Sequence, residues 1–356
     1  MFFLTLSIIG STVAVPLSSR QSDVPAGVPA FVTQFAPIVY LFSGENYKPS
    51  DVAAQVANTR PYINLTAVSS GVPDALTLDN LDQLNSISNS NDGRDIYLTS
   101  TLDPTTDPRP QYLYGVTPNA QGQTENAISA AIITVDKGSG ILDAFYMYFY
   151  AFDYGGDYID KRLNIGNHVG DWEHNAIRFQ NGVPSQIWYS QHSGGQAFSY
   201  EATEKYKDTG RPVTYSANGT HADYATPGAH DHTIPGVNLP AGPIEDHTDA
   251  GAMWDPTLAA YYYSFDVASG KFTAYGDAPV NWLYFLGKWG DDKFPESDER
   301  QECFLGIDVL CKYTGGPTGP VDKDLGRKEI CPGGKECEIL PILLPRDVKE
   351  TERRGM

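Results

Sequence analysis

The sequence predicts an all-β chain: an antiparallel β-sandwich of jelly-roll type, with a few short helices and a disulfide-bearing C-terminal segment. Three observations carry this. Tyrosine, phenylalanine and tryptophan are abundant (22, 15 and 5), and aromatic side chains pack well on a pleated surface. Glycine and proline are frequent (34 and 25), so turns must recur along the chain. The segment Ala144 to Phe152, AFYMYFYAF, is apolar without a break, as expected of a strand covered on both faces.

Taken in order, Met1 to about Ala14 reads as a signal peptide. Its apolar run, Phe2 to Val15, is too short to span a bilayer and ends in small residues. Residues 15–32 form a flexible lead-in, 33–339 a single β-sandwich domain and 340–356 a charged tail. Strands are expected at Phe35–Phe42, Arg94–Ser100, Ala144–Phe152, His174–Phe179, Ser185–Ser190, Val213–Ser216, Tyr261–Phe265 and Trp282–Phe285. A short helix should follow Ser50 as its N-cap, and Leu76, Leu78, Leu81 and Leu84 mark another. No other stretch approaches the 18 apolar residues of a transmembrane helix.

The net charge of −19 repels phosphate backbones and anionic lipid, which excludes general nucleic-acid binding. It serves solubility, and it can also gather divalent cations. Cys303, Cys311, Cys331 and Cys337 all lie near the C-terminus. An even count in an oxidising compartment points to two disulfides. The nearest-neighbour pairing is one of three, and a zinc site is the alternative. Asn64 and Asn218 open N-glycosylation sequons.

All seven histidines fall between His168 and His247. In that window Asn167-His168-Val169-Gly170-Asp171-Trp172-Glu173-His174 packs potential ligands densely. On a strand, Asp171 and Glu173 point to one face and Trp172 to the other, while His168 can curl back across Gly170. Two carboxylates and an imidazole converge only if a proton or cation intervenes. Oxygen-rich ligation suits Ca²⁺, Mg²⁺ or Mn²⁺. The alternative is a strand start with a solvated acidic edge. His192 and His221 each follow a strand beside a glycine turn, where an acid, base or outer-sphere partner would sit. His230-Asp231-His232 lies among Gly and Pro and reads as a loop. No HExxH, GxSxG, P-loop, Rossmann or EF-hand pattern occurs.

The segments Phe35–Leu41, Gly170–His174, Gly219–Tyr224, Gly287–Asp291 and Gly315–Pro320 resemble the fungal vacuolar protein sorting 62 family across residues 33 to 335. That likeness implies a link to vacuolar protein delivery. The stretch Asn167–Glu173 is also similar to the GHRHDWE signature of necrosis- and ethylene-inducing peptide-like proteins. Asp171-Trp172-Glu173 matches intact, His168 falls on the first histidine, and Gly170 replaces the second. This second resemblance implies a divalent cation held by His168, Asp171 and Glu173, completed by an aspartate after an aromatic strand, here Asp153. It also implies a sugar headgroup near the metal, with His192 and His221 resembling the later histidines of that fold. Three functions remain open: a cation-dependent module binding a glycan or glycolipid headgroup, a hydrolase using the same cation, and a non-catalytic factor in targeting to the vacuole.

Overall fold

The computed structural model describes residues 24–158, 163–231, 244–334 and 337–343. The expected signal peptide, His232 and most of the charged tail lie outside them.

An eight-stranded sheet forms the centre. Its order is Lys271–Ala274, Ala260–Asp266, Ala130–Gly138, Ile141–Asp153, His168–Gln180, Val183–Gln191, Gly194–Ser199 and Ile339–Leu340. Two-residue turns join Ala130–Gly138 to Ile141–Asp153 and His168–Gln180 to Val183–Gln191. Ser139 and Gly140 both have positive φ, as do Asn181 and Gly182, the twist that two-residue hairpin loops require. Most pairings are antiparallel. Ala130–Gly138 with Ala260–Asp266, and Gly194–Ser199 with Ile339–Leu340, are parallel exceptions. A four-stranded sheet, Asp223–Tyr224, Val213–Ser216, Ile38–Tyr40 and Met253–Trp254, adds a third parallel pair between its middle strands.

The unbroken aromatic run is the axis of packing, because period-two alternation sends its side chains to opposite faces. Tyr146, Tyr148 and Tyr150 pack with Val39, Ile177, Tyr189 and Trp254, between the two sheets. Phe145, Met147 and Phe149 face the other way, onto Trp172, Trp282 and Trp289. That second face is closed by the helix Val52–Ala57, by 3-10 turns at Leu81–Ser86 and Asn281–Tyr284, and by a sheet of Thr66–Ala67, Thr59–Ile63 and Tyr97–Ser100.

Several expectations change. Trp282 belongs to a 3-10 turn, not a strand. There the indole fills the core and its Nε1–H donates to the Pro279 carbonyl at 3.0 Å. Asp51, not Ser50, caps the helix that follows, its Oδ1 accepting from Ala54 N–H at 2.7 Å; Ser50 instead accepts from Ala151 N–H. Part of the supposed flexible lead-in is structured. Ala30–Gln34 is a helical turn with Val32 buried, and Tyr146 donates its hydroxyl to the Val32 carbonyl. Leu340, placed at the head of the tail, pairs with Phe198.

The cysteines form Cys303–Cys311 and Cys331–Cys337. Asn64 and Asn218 are both exposed. Among the described residues no helix is long and apolar enough to cross a membrane.

Candidate metal centre

The pairing of Ile141–Asp153 with His168–Gln180 sets the site. Asp153 lies opposite His168, Tyr150 opposite Asp171 and Tyr148 opposite Glu173. Asp171 and Glu173 therefore share the face that looks toward the four-stranded sheet, and Trp172 enters the opposite core. Gly170 lets the strand start this way. Its φ is +68°, and a Cβ there would lie 2.2 Å from the Trp289 carbonyl oxygen.

Across the gap the turn 217–221 delivers His221, fully buried and with φ of +55°. Its ring stacks on Tyr150, centroids 3.7 Å apart and planes 2° from parallel. Nε2 is 2.9 Å from the Tyr47 carbonyl oxygen, and Nδ1 is 3.0 Å from Asp171 Oδ2. A carbonyl only accepts, so Nε2 carries the proton of that bond. His168 repeats the arrangement with the nitrogens exchanged: Nδ1 donates to the Gly170 carbonyl at 2.7 Å, and Nε2 faces Asp153 Oδ2 at 3.8 Å. Each imidazole is thus tied by one nitrogen to the backbone and aims the other at a carboxylate, the way a metal-ligating histidine is oriented by its outer partner.

Asp153, Asp171 and His221 each offer a ligand atom within 4.8 Å of the others. His168 stands at the rim, its side chain 18% exposed. Of the four ligands expected from the sequence, Asp153 and Asp171 meet in this group, and His168 borders it through Asp153. Glu173 is on the same face but is hydrogen-bonded by the Ser190 hydroxyl. His221, expected only as an acid–base or outer-sphere candidate, takes the interior position. His192 sits to one side, its Nε2 2.6 Å from Asp246 Oδ2. His174 projects through the sheet to the other core, and His247 is exposed.

The electrostatics are one-sided. Glu45, Asp153, Asp171, Glu173, Asp223 and Asp246 are all buried. Burial pushes Asp153 well above the usual carboxylate range, and the charges of Asp171, Asp246, Glu173 and Glu45 add to this. Burial, then Asp171, raises Glu173 to about 7. Asp223 is also driven well up, by burial and then by Glu173 and Asp171. Burial opposes ionisation of Asp171 too, but the hydrogen bond and charge of His221 outweigh it and the carboxyl is lowered. His221 moves the opposite way: burial lowers it, while Asp171 and Glu45 raise it further. Burial lowers His168. His192 is raised, because Asp246 outweighs its burial.

Sequence reasoning missed Glu45, Asp223 and Asp246. Glu45 Oε1 and Oε2 accept from the N–H groups of Tyr47 and Gly219, both at 2.7 Å. Asp223 and Asp246 left a readable signal, since one follows His221 by two residues and the other directly precedes His247.

The chain is 36% identical over 345 residues to vacuolar protein sorting-associated protein TDA6 of Saccharomyces cerevisiae, covering 89% of this chain and 71% of that one. The chain belongs to the vacuolar protein sorting-associated protein 62 family. Vacuolar protein sorting-associated protein 62 of the same yeast is 36% identical over 329 residues, 85% of this family member and 68% of that protein. The family signature of that name matches residues 159–303, which include Asp171, Glu173 and His221. Among solved structures, NLPPya in complex with glucosamine overlaps 70% of this chain and 79% of its own, at 12% identity and a TM-score of 0.32. Necrosis and Ethylene inducing Protein 2 from the causal agent of cocoa's Witches Broom disease overlaps 58% and 72%, at 12% identity and a TM-score of 0.29. Overlap at that level places no side chain, so the site rests on its own geometry.

Proposed function

We propose that this family member follows the secretory route, binds a divalent cation at Asp153, Asp171 and His221 with His168 at the rim, and uses it to hold a glycan or glycolipid headgroup. One observation carries the reading: two imidazoles, each fixed by a backbone carbonyl, aim a nitrogen at Asp171 and Asp153 inside a buried acidic pocket. With Nε2 of His221 donating to Tyr47, a neutral ring would set its Nδ1 lone pair against a carboxylate oxygen. A cation between them, or a second proton on the ring, removes that conflict. A single imidazolium neutralises one of the six buried carboxylates, whereas a divalent ion neutralises two. Ca²⁺, Mg²⁺ and Mn²⁺ fit the two carboxylates, and imidazole ligation favours Mn²⁺ among them. A cleft beside the site, whose lining includes Asp157, Tyr158, Asn218, Glu245 and His247, offers the exposed carboxylates of Asp157 and Glu245 to sugar hydroxyls.

The test is elemental mass spectrometry on the purified mature protein, wild type beside Asp171→Asn, with melting recorded before and after chelation. Stoichiometric metal in the wild type alone, followed by glycan or glycolipid binding that chelation abolishes, is expected. Metal-free wild type whose melting ignores added Ca²⁺, Mg²⁺ and Mn²⁺ overturns the reading.

A further inference from the structure

A second polar cluster lies on the opposite face of the large sheet. A turn after Pro320–Asp322 sends Arg327 inward: its N–H donates to the Asp324 carbonyl at 3.1 Å, and Lys137 Nζ pins the adjacent Leu325 carbonyl at 2.9 Å. Arg327 is 4% exposed. Its guanidinium carbon sits 4.7 Å from the Phe145 ring centroid and 5.9 Å from that of Trp188. Nε and both terminal nitrogens have no hydrogen-bond partner among the described residues. The same holds for both ring nitrogens of His174, buried and stacked on Phe145 at 6.3 Å, and for Trp188 Nε1. A single ring, Phe145, thus gathers an imidazole and a guanidinium whose polar atoms all lack partners, with the Trp188 indole beside the guanidinium.

The local charge is the reverse of the chain's. Asp143 is fully buried here, but Arg178 engages both its oxygens at 2.7 and 2.8 Å, with Lys137 4.0 Å away. Lys137, Arg178 and Arg327 share one buried carboxylate inside a protein of net charge −19. The exposed Asp324 is the other acid acting on Arg327. Ring contacts offset part of the desolvation of a guanidinium, but they satisfy none of its five donors, and buried donors are normally paired.

We propose that Arg327, His174 and Trp188 form a buried binding site for one small oxyanion, a carboxylate or phosphate group. The planar fork of Arg327 matches two oxygens of such a group, and the indole and imidazole N–H groups close on a third or on the same pair from the side. Burial first, then the charges of Arg327 and Lys323, holds His174 well below its usual range. Arg327 supplies the permanent charge, and His174 needs only to donate one ring N–H. This site is independent of the metal centre: His174 is on the same strand as Asp171 and Glu173 but on its other face.

The experiment titrates inorganic phosphate and, separately, acetate into the full chain at constant ionic strength in chelator-treated buffer. Melting temperature and tryptophan fluorescence are followed for wild type, Arg327→Lys, Arg327→Met and Asp171→Asn. A saturable rise in melting temperature is expected in wild type and Asp171→Asn. It should weaken about tenfold in Arg327→Lys, which keeps the charge but loses the fork, and vanish in Arg327→Met. Phosphate alone acting identifies a tetrahedral ligand, and acetate alone a carboxylate. If Arg327→Met does not fold, Arg327→Lys decides. No saturable response to either anion, a response unchanged by Arg327→Lys, or one abolished by Asp171→Asn overturns the proposal.

Discussion

His221 and Asp171 form the central contact of the acidic pocket: Nδ1 to Oδ2, 3.0 Å, both side chains buried, with the imidazole stacked on Tyr150 and tethered to Tyr47. The contact joins the large sheet to the turn 217–221. It also fixes which way the imidazole points before any ligand arrives, so the site is organised in advance.

His221→Phe should keep the stack on Tyr150 and remove both nitrogens. Asp171 would then be a buried carboxylate without its partner, at a loss of roughly 3–5 kcal/mol. Adding Asp171→Asn should restore most of that loss, because an amide needs no counter-charge. Urea unfolding of the two single variants and the double variant measures the coupling. Additive losses would mean the pair contributes nothing of its own. Cation affinity should fall at least about 100-fold in His221→Phe.

Gly170→Ala should destabilise by roughly 3 kcal/mol or more, because positive φ and a carbonyl oxygen 2.2 Å from the new Cβ act together. Restoring a histidine there, as the GHRHDWE pattern has it, meets the same wall. The second histidine of that pattern is therefore excluded here by the chain at Trp289. A loss below about 1 kcal/mol in Gly170→Ala would show that the Trp289 segment gives way.

Asp291 supplies a pH dependence away from the candidate metal centre. It is 8% exposed, and burial raises its carboxyl from 3.8 to about 7 despite hydrogen bonds from the backbone. Between those values the folded state holds a proton that the unfolded state has released. Stability therefore falls as pH rises through that window, and acidification from neutral recovers it. At about 1.4 kcal/mol per pH unit, the contribution is at most a few kcal/mol. Asp291→Asn should melt higher than wild type at pH 8, and the difference should vanish near pH 4. A pH-independent difference would mean that Asp291 stays ionised when buried.

The strands near the candidate metal centre were legible because their signal is local. Ala144–Phe152 and Val213–Ser216 carry apolar runs or β-branched residues, and Asp171-Trp172-Glu173 divides between faces by period two. Trp282–Phe285 misled because an aromatic run fits a strand and a core-facing 3-10 turn equally well, and only packing on Trp172, 5.7 Å between ring centroids, decides. The Asn181-Gly182 hairpin was readable from turn chemistry, yet a count of apolar residues passes over it. His221 was noticed but given too small a place, because its contact with Asp171 spans 50 residues. Glu45 gave no signal at all: its role comes from where the turn 43–47 lands.

That turn supports the final prediction. Glu45 accepts from Tyr47 N–H and Gly219 N–H, Tyr47 accepts from His221 Nε2, and Gly219 accepts from Tyr154 N–H at 2.9 Å, directly after Asp153. One carboxylate thus couples the two loops that place Asp153 and His221. Glu45→Ala leaves two buried donors unmet, about 1–3 kcal/mol for each, and frees the Tyr47 carbonyl that orients the imidazole. Cation affinity should fall about tenfold or more, the usual effect of losing an outer-shell partner, and amide exchange at Gly219 should accelerate. Glu45→Gln keeps one acceptor oxygen and should fall between wild type and Glu45→Ala in both measurements. If Glu45→Ala binds the cation as wild type does while Gly219 exchanges faster, the loops are coupled but the metal centre does not depend on them, and the orientation of His221 must then come from its stack on Tyr150.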